Sequence, residues 1–139
     1  MKKLIFLVLL IGASAVKAAG PNDGLYLVDV SSAANRALAA TVHQDGSNVV
    51  LVLLDLESNE FEAFQGARVG DQAELESILG AESSKYRANF AIGSARIVVE
   101  SCDPGTVFDC LVPAGGIMIL TQVISGTTEG GRGARGERL

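Results

Sequence analysis

The stretch from Ala37 to Leu56, ALAATVHQDGSNVVLVLLDL, reads as two strands and the turn between them. Leu38, Ala40 and Val42 alternate with Thr41 and His43, the period of two that marks a strand with one face on a core. Asp45-Gly46-Ser47-Asn48 follows, residue types that tolerate the backbone angles of a tight hairpin. The return segment, Val49 to Leu56, is almost unbroken in apolar residues. Such a run predicts a strand covered on both faces, as in the middle of a packed or oligomeric sheet.

The same grammar continues on either side. Gly24 to Val30 is a first strand, before Ser31-Ser32. Beyond the turn Glu57-Ser58-Asn59, Phe61 to Val69 puts Phe61, Ala63 and Gln65 on one face and Glu62 and Phe64 on the other. Gly70-Asp71 signals another hairpin. Residues 72–79 admit two readings. Asp71-x-x-Glu74, with Leu75, Ile78 and Leu79 at helical spacing and Gly80 at the end, resembles a capped helix. Ala73, Leu75, Ser77 and Leu79 alternating with Gln72, Glu74, Glu76 and Ile78 reads instead as a strand, which suits the flanking hairpins and is the reading adopted here.

Lys85 to Ala91 and Ala95 to Cys102, joined through Ile92-Gly93-Ser94, form a further pair, and Ile117 to Ile124 is the last strand. Pro113-Ala114-Gly115-Gly116 marks an edge or corner before it. The expected fold is all-β, a small antiparallel barrel or sandwich of about eight strands in meander order.

Both ends of the chain differ from this pattern. Lys2 and Lys3 precede an apolar run from Leu4 to Ile11, followed by small residues and Val16-Lys17-Ala18. That is the layout of a cleavable secretion signal over 1–18, and the run is about half of the ~20 residues that a membrane-spanning helix needs. The protein is therefore expected to be exported, periplasmic or extracellular, with a β-rich domain over 19–124. From Ser125 to Leu139 the chain is rich in Gly, with Arg132, Arg135 and Arg138, and is expected to be a disordered tail. An RNA-binding reading of that tail is weakened by Glu129 and Glu137 and by the lack of an aromatic residue for base stacking.

Charge narrows the partners. The formal charge of −5 becomes −8 once Lys2, Lys3 and Lys17 leave with the signal, a balance that repels nucleic acid. Cys102 and Cys110 are the only cysteines, and Asp103-Pro104-Gly105 between them is a turn sequence able to bring them together. In an oxidising compartment they are expected to form a disulfide worth roughly 2.5 kcal/mol.

Reactive chemistry has little frame. His43 is the only histidine, and the strand pattern sets it opposite the Leu38, Ala40 and Val42 face. No Gly-x-Ser-x-Gly, Ser-x-x-Lys or His-Glu-x-x-His motif occurs, so neither an activated serine nor a zinc site is predicted. Asp55, Glu57, Glu60 and Glu62 straddle one turn, without the alternation and glycine of a calcium loop and without the tryptophan platforms common in sugar sites. No glycine-rich phosphate loop follows a strand and opens a helix, so no cofactor is expected.

The segment Val98-Val99-Glu100-Ser101-Cys102-Asp103-Pro104, continuing to Cys110-Leu111-Val112-Pro113-Ala114-Gly115, resembles the closing motif of small exported bacterial β-domain proteins of uncharacterised function. Those proteins begin with a Gly-Leu-Tyr-like strand, here Gly24-Leu25-Tyr26. They end with a Cys, a short loop and Cys-Leu-x-Pro-x-Gly before a last apolar strand; this chain differs from some of them in having no Trp. The resemblance implies export, a β fold and a disulfide, and no activity.

Two functional expectations follow. The first is a non-catalytic binding or structural module of the cell envelope. It would act on an unidentified protein partner by strand addition or oligomeric packing, or would enclose a small apolar ligand. The alternative is an enzyme whose site joins His43 to a carboxylate such as Asp55 or Glu62.

Overall fold

A computed structural model describes residues 20–31, 36–81, 83–105 and 109–126. The expected signal over 1–18 and the tail from 127 onward lie outside the described residues. Eight strands follow one another: β1 (Gly24–Val30), β2 (Leu38–Asp45), β3 (Asn48–Asp55), β4 (Phe61–Val69), β5 (Gln72–Leu79), β6 (Ser83–Ala91), β7 (Ser94–Asp103) and β8 (Ile117–Ser125). Each is antiparallel to the next, and β8 returns to pair with β1 from Gly24↔Ser125 to Val30↔Met118. The sheet is therefore a closed meander barrel rather than a sandwich.

Period-two alternation turns directly into inside and outside. Leu38, Ala40 and Val42 of β2 and Val49, Leu51 and Leu53 of β3 point into the barrel and are buried. Tyr26, Phe64, Leu75, Tyr86, Ile97, Met118 and Leu120 join them in the interior, and the Phe64 and Tyr86 rings stack with centroids 4.0 Å apart. Eight strands give a lumen about wide enough for side chains to fill, and here they fill it. Gly66 lets β4 curve tightly against β5: a Cβ on it would lie 1.7 Å from the Glu74 carbonyl oxygen.

Residues 72–79 are strand, paired to both β4 and β6. The capping pattern does not start a helix because Ala73 and Leu75 enter the core while Glu74 and Glu76 face solvent, a division that only a period of two provides. One residue departs from the expected face. A bulge sets Ala63 opposite Leu79 and Phe64 opposite Ser77, which turns Leu79 outward, 51% exposed.

Two further expectations are corrected. Ser125 pairs with Gly24, and the Gly126 N–H donates to the Asp23 carbonyl at 2.7 Å, so the barrel takes in the first two residues assigned to the tail. The β3 strand is covered on its inner face only, because no second layer of the described chain lies over Val50, Val52 and Leu54, which remain half-exposed. Pro113-Ala114-Gly115-Gly116 does form a corner: the Gly116 N–H donates to the Pro113 carbonyl, the Gly115 N–H donates to the Val99 carbonyl of β7, and the Val99 N–H donates to the Gly116 carbonyl.

Candidate functional site

One end of the barrel carries the hairpins β2–β3, β4–β5 and β6–β7, and the segment 20–23 lies across it. Asp23 organises this end. Its carboxylate accepts hydrogen bonds from the backbone N–H groups of Gly20 and Gln44, and its carbonyl accepts from Gln122 Nε2 at 3.0 Å. Gln44 Oε1 accepts from Asn22 Nδ2 and Arg68 Nη1, both at 3.0 Å, and the Arg68 guanidinium lies 5.5 Å above the Phe90 ring. Tyr26 donates to the Asn22 carbonyl at 2.7 Å; burial, followed by the Asp23 charge, raises its phenol above the ordinary value. The network is mutually satisfied, and its chemistry is that of a plug.

The opposite end carries residues 31, 36–37, 56–60, 80–81, 104–105 and 109–116 of the connections. Glu62 points inward from β4 and is 2% exposed. It accepts from Tyr86 Oη at 3.3 Å and from Leu111 N–H at 3.4 Å. Burial raises its carboxyl above the ordinary range, against the opposing pull of those hydrogen bonds, of Ala81 N–H and of the Arg36 charge. Burial and the neighbouring Glu62 together push Tyr86 far above the ordinary phenol value, so Tyr86 serves here as a donor. Gly80, at φ 111°, passes so close that a Cβ would meet Glu62 Cγ at 2.7 Å.

Asp55 sits nearby and behaves oppositely. Backbone N–H groups of Glu57 and Ser58 bond its Oδ1 at 2.9 and 3.2 Å and hold its carboxyl below the ordinary range, helped by Arg36, whose Nη1 is 3.5 Å from Oδ2. The acidic group singled out in the sequence is thus split by role: Asp55 closes the β3–β4 turn and Glu62 holds the loop end, while Glu57 and Glu60 are exposed. Cys102 and Cys110 are joined in a disulfide with Cα atoms 6.2 Å apart. It clips down the loop that carries Leu111 and Val112, 2% and 0% exposed, over Glu62. Such a bond belongs to an oxidising, non-cytoplasmic environment.

His43 is not brought to Asp55 or Glu62. It faces outward five residues along β2 from Leu38, the partner of Asp55, which at strand rise is about 16 Å. Its nearest acid is Asp23, with Nδ1 3.4 Å from Oδ2, and its side chain is 75% exposed. The Asp23 carboxylate is already held by two backbone N–H groups, so the pair is a surface contact at the rim of the plug. Sequence reading missed Asp23, Arg36 and Tyr86. A lone acid before a strand, a lone Arg in a connection and a core tyrosine carry no spacing signal.

The outer surface divides more sharply than either end. On β5, β6 and β7 most outward positions are polar or charged, among them Glu74, Glu76, Lys85, Arg87, Asn89, Arg96 and Glu100, with ion pairs Lys85–Glu76 and Arg87–Glu100; Ile78, Leu79 and Val98 are apolar exceptions. Across the middle of β1 to β4 they are apolar or uncharged, with Asp29 and Asp45 exposed towards the ends of β1 and β2. One cross-strand row runs Leu27, Ala39, Leu54, Phe61, and the next runs Leu25, Thr41, Val52, Ala63. Ile124 and Leu79 extend the second row at its two ends. Leu27, Phe61, Leu79 and Ile124 are each about half-exposed or more. No helix among the described residues is long and apolar enough to cross a membrane.

No family model matches this chain, and neither the curated proteins nor the solved structures contain a match to it.

Proposed function

We propose that this protein is an exported, non-catalytic assembly module of the cell envelope, and that it works by burying the β1–β4 wall against a protein partner. The observation that carries this reading is the contrast between two walls of one barrel. A solvated β-face alternates core residues with polar ones, as β5 and β6 do, whereas the outward positions of β1–β4 repeat apolar side chains over two adjacent rows.

The other modes of binding have less support. Strand addition needs a free edge, and closure of β8 onto β1 pairs every strand on both sides. Enclosing a small apolar ligand needs a lumen, and Tyr26, Phe64, Tyr86 and Met118 occupy it. An enzyme built on His43 would need it beside a free carboxylate in a cleft; its contact is instead with the engaged Asp23 on an open surface. Export is supported by the leader-like residues 1–18 and by the disulfide. The resemblance of the Cys102–Gly115 segment to exported bacterial β-domains points the same way.

The test is genetic. In the source organism, Val52→Glu should reproduce the phenotype of deleting the whole protein, while Glu74→Lys on the polar wall and His43→Ala should not. Loss of function in His43→Ala with Val52→Glu intact would replace assembly with catalysis.

A further inference from the structure

At the loop end, one short segment is anchored at both of its ends and meets a buried carboxyl in its middle. The Cys102–Cys110 disulfide ties its start to β7. The Gly115 N–H donates to the Val99 carbonyl at 2.8 Å and the Val99 N–H to the Gly116 carbonyl at 2.9 Å, which ties its end to the same strand. Between these anchors Leu111 and Val112 are buried, and the Leu111 N–H reaches Glu62 at 3.4 Å. We propose that residues 110–116 form a pH-gated strap, shut while Glu62 is protonated and lifted from the barrel mouth when Glu62 ionises.

The bond lengths fit a neutral carboxyl. Hydrogen bonds to a carboxylate contract to about 2.7–2.9 Å from N–H donors and about 2.5–2.7 Å from O–H donors. Asp55, held by the Glu57 N–H at 2.9 Å, is of that kind. Glu62 is not: Tyr86 Oη stands 3.3 Å away and the Leu111 nitrogen 3.4 Å. At 2% exposure an ionised Glu62 would be a buried anion, and burial raises its carboxyl against the pull of these donors.

No group packed around Glu62 among the described residues neutralises that charge. Tyr86 of β6 is held far above the ordinary phenol value and acts only as a donor. Arg36, ahead of β2, is the cation that acts on Glu62. Its Nη1 is paired instead with Asp55 Oδ2 at 3.5 Å, and that atom is buried without a hydrogen bond. The nearby inward positions Leu53 of β3, Ser77 of β5 and Val99 of β7 carry no charge, and the 80–81 connection brings Gly80 and the Ala81 N–H. The strap, Cys-Leu-Val-Pro-Ala-Gly-Gly, has no titratable side chain while the disulfide is closed. The Gly80 backbone closes the other side of Glu62, where even a Cβ would meet Cγ at 2.7 Å. Lifting the strap breaks the Leu111 contact, leaves both anchors in place and brings the carboxylate to water.

Linkage sets the sign. The Glu62 value is raised with the strap shut and ordinary with it lifted, so closure is favoured fully below the ordinary carboxylate range and is lost as pH rises through the raised value. Between the two values the lifted population grows about tenfold per pH unit, and above the raised one it levels off.

Amide hydrogen exchange of the oxidised protein, read residue by residue by NMR from pH 4 to pH 8 and corrected for the intrinsic rate, tests this. Leu111 should lose about tenfold or more of its protection over that range. It should exchange faster than Gly115 at an anchor and Leu53 in the β3 ladder, and independently of low urea, the mark of a local opening. In Glu62→Gln, Leu111 protection should stay within about twofold across the range. Constant protection of Leu111 in the wild type overturns the proposal, as it would if Arg36 turned to the ionised Glu62. Loss that persists in Glu62→Gln overturns Glu62 as the gate. Loss that matches Leu53 and deepens with urea belongs to unfolding of the whole barrel and overturns the strap, so the wild-type series decides even if Glu62→Gln does not fold.

Discussion

Breaking the Cys102–Cys110 disulfide tests how the loop end is held. The cysteines are eight residues apart, and closing so short a loop in the unfolded chain accounts for roughly 2.5 kcal/mol. With an m-value of about 1.5 kcal/mol/M for urea, the Cys102→Ser/Cys110→Ser double variant should lose about 1.7 M in midpoint. The loop also carries Leu111 and Val112, both buried at the barrel end, and the Leu111 N–H that reaches Glu62. Leu111→Ala in the oxidised protein reports that docking separately, at about 2–5 kcal/mol. Equilibrium urea unfolding followed by tyrosine fluorescence and circular dichroism reads both. A midpoint change below about 0.5 M in the double variant would refute the clip as a main support of the loop end.

The two inward carboxyls at that end should titrate with opposite effects on stability. Glu62 has a raised value in the folded state, so its contribution is full below the ordinary carboxylate range and is lost as pH rises through the raised value. Glu62→Gln should therefore flatten the fall in urea midpoint between pH 4 and pH 8, and a variant less stable than wild type at pH 8 would contradict this. Asp55 has a lowered value, so its contribution is present above the ordinary range and is lost as pH falls through the lowered one. Asp55→Asn should then cost most at neutral pH and least in acid, as measured by thermal midpoints at pH 3 and pH 7. His43→Ala, at an exposed position, should change stability by less than about 0.5 kcal/mol in the same urea assay.

How much of this was legible in the sequence depends on which forces are local. Strand alternation is local, so β1, β4 and the 72–79 segment are readable from the side chains that repeat every second residue. Barrel closure is not: it depends on β8 reaching β1 across almost the whole chain, a pairing that no turn sequence encodes. The face of Leu79 was misread because the bulge opposite Ala63 and Phe64 is set by pairing between strands. The continuous apolar run of β3 reads as cover on both faces, but within the described chain only its inner face is covered, because the pattern of one strand does not say whether a second layer exists.

The site residues divide in the same way. Cys102 and Cys110 were legible because a short turn between two cysteines constrains both partners. His43 and the acids of the 55–62 turn were visible as residue types, but their partners were not. Asp23 meets Gln44 and His43 only once β1 lies beside β2, and Glu62 meets Tyr86 and Leu111 only across the closed barrel.

The most direct measurement of assembly through the β1–β4 wall is site-specific photo-crosslinking in the living cell from two positions on opposite walls. A photoreactive residue at Val52 should yield a discrete protein adduct in envelope fractions, and one at Glu74 should yield none. Equal adducts from both positions, or an adduct from Glu74 alone, would contradict assembly through this wall.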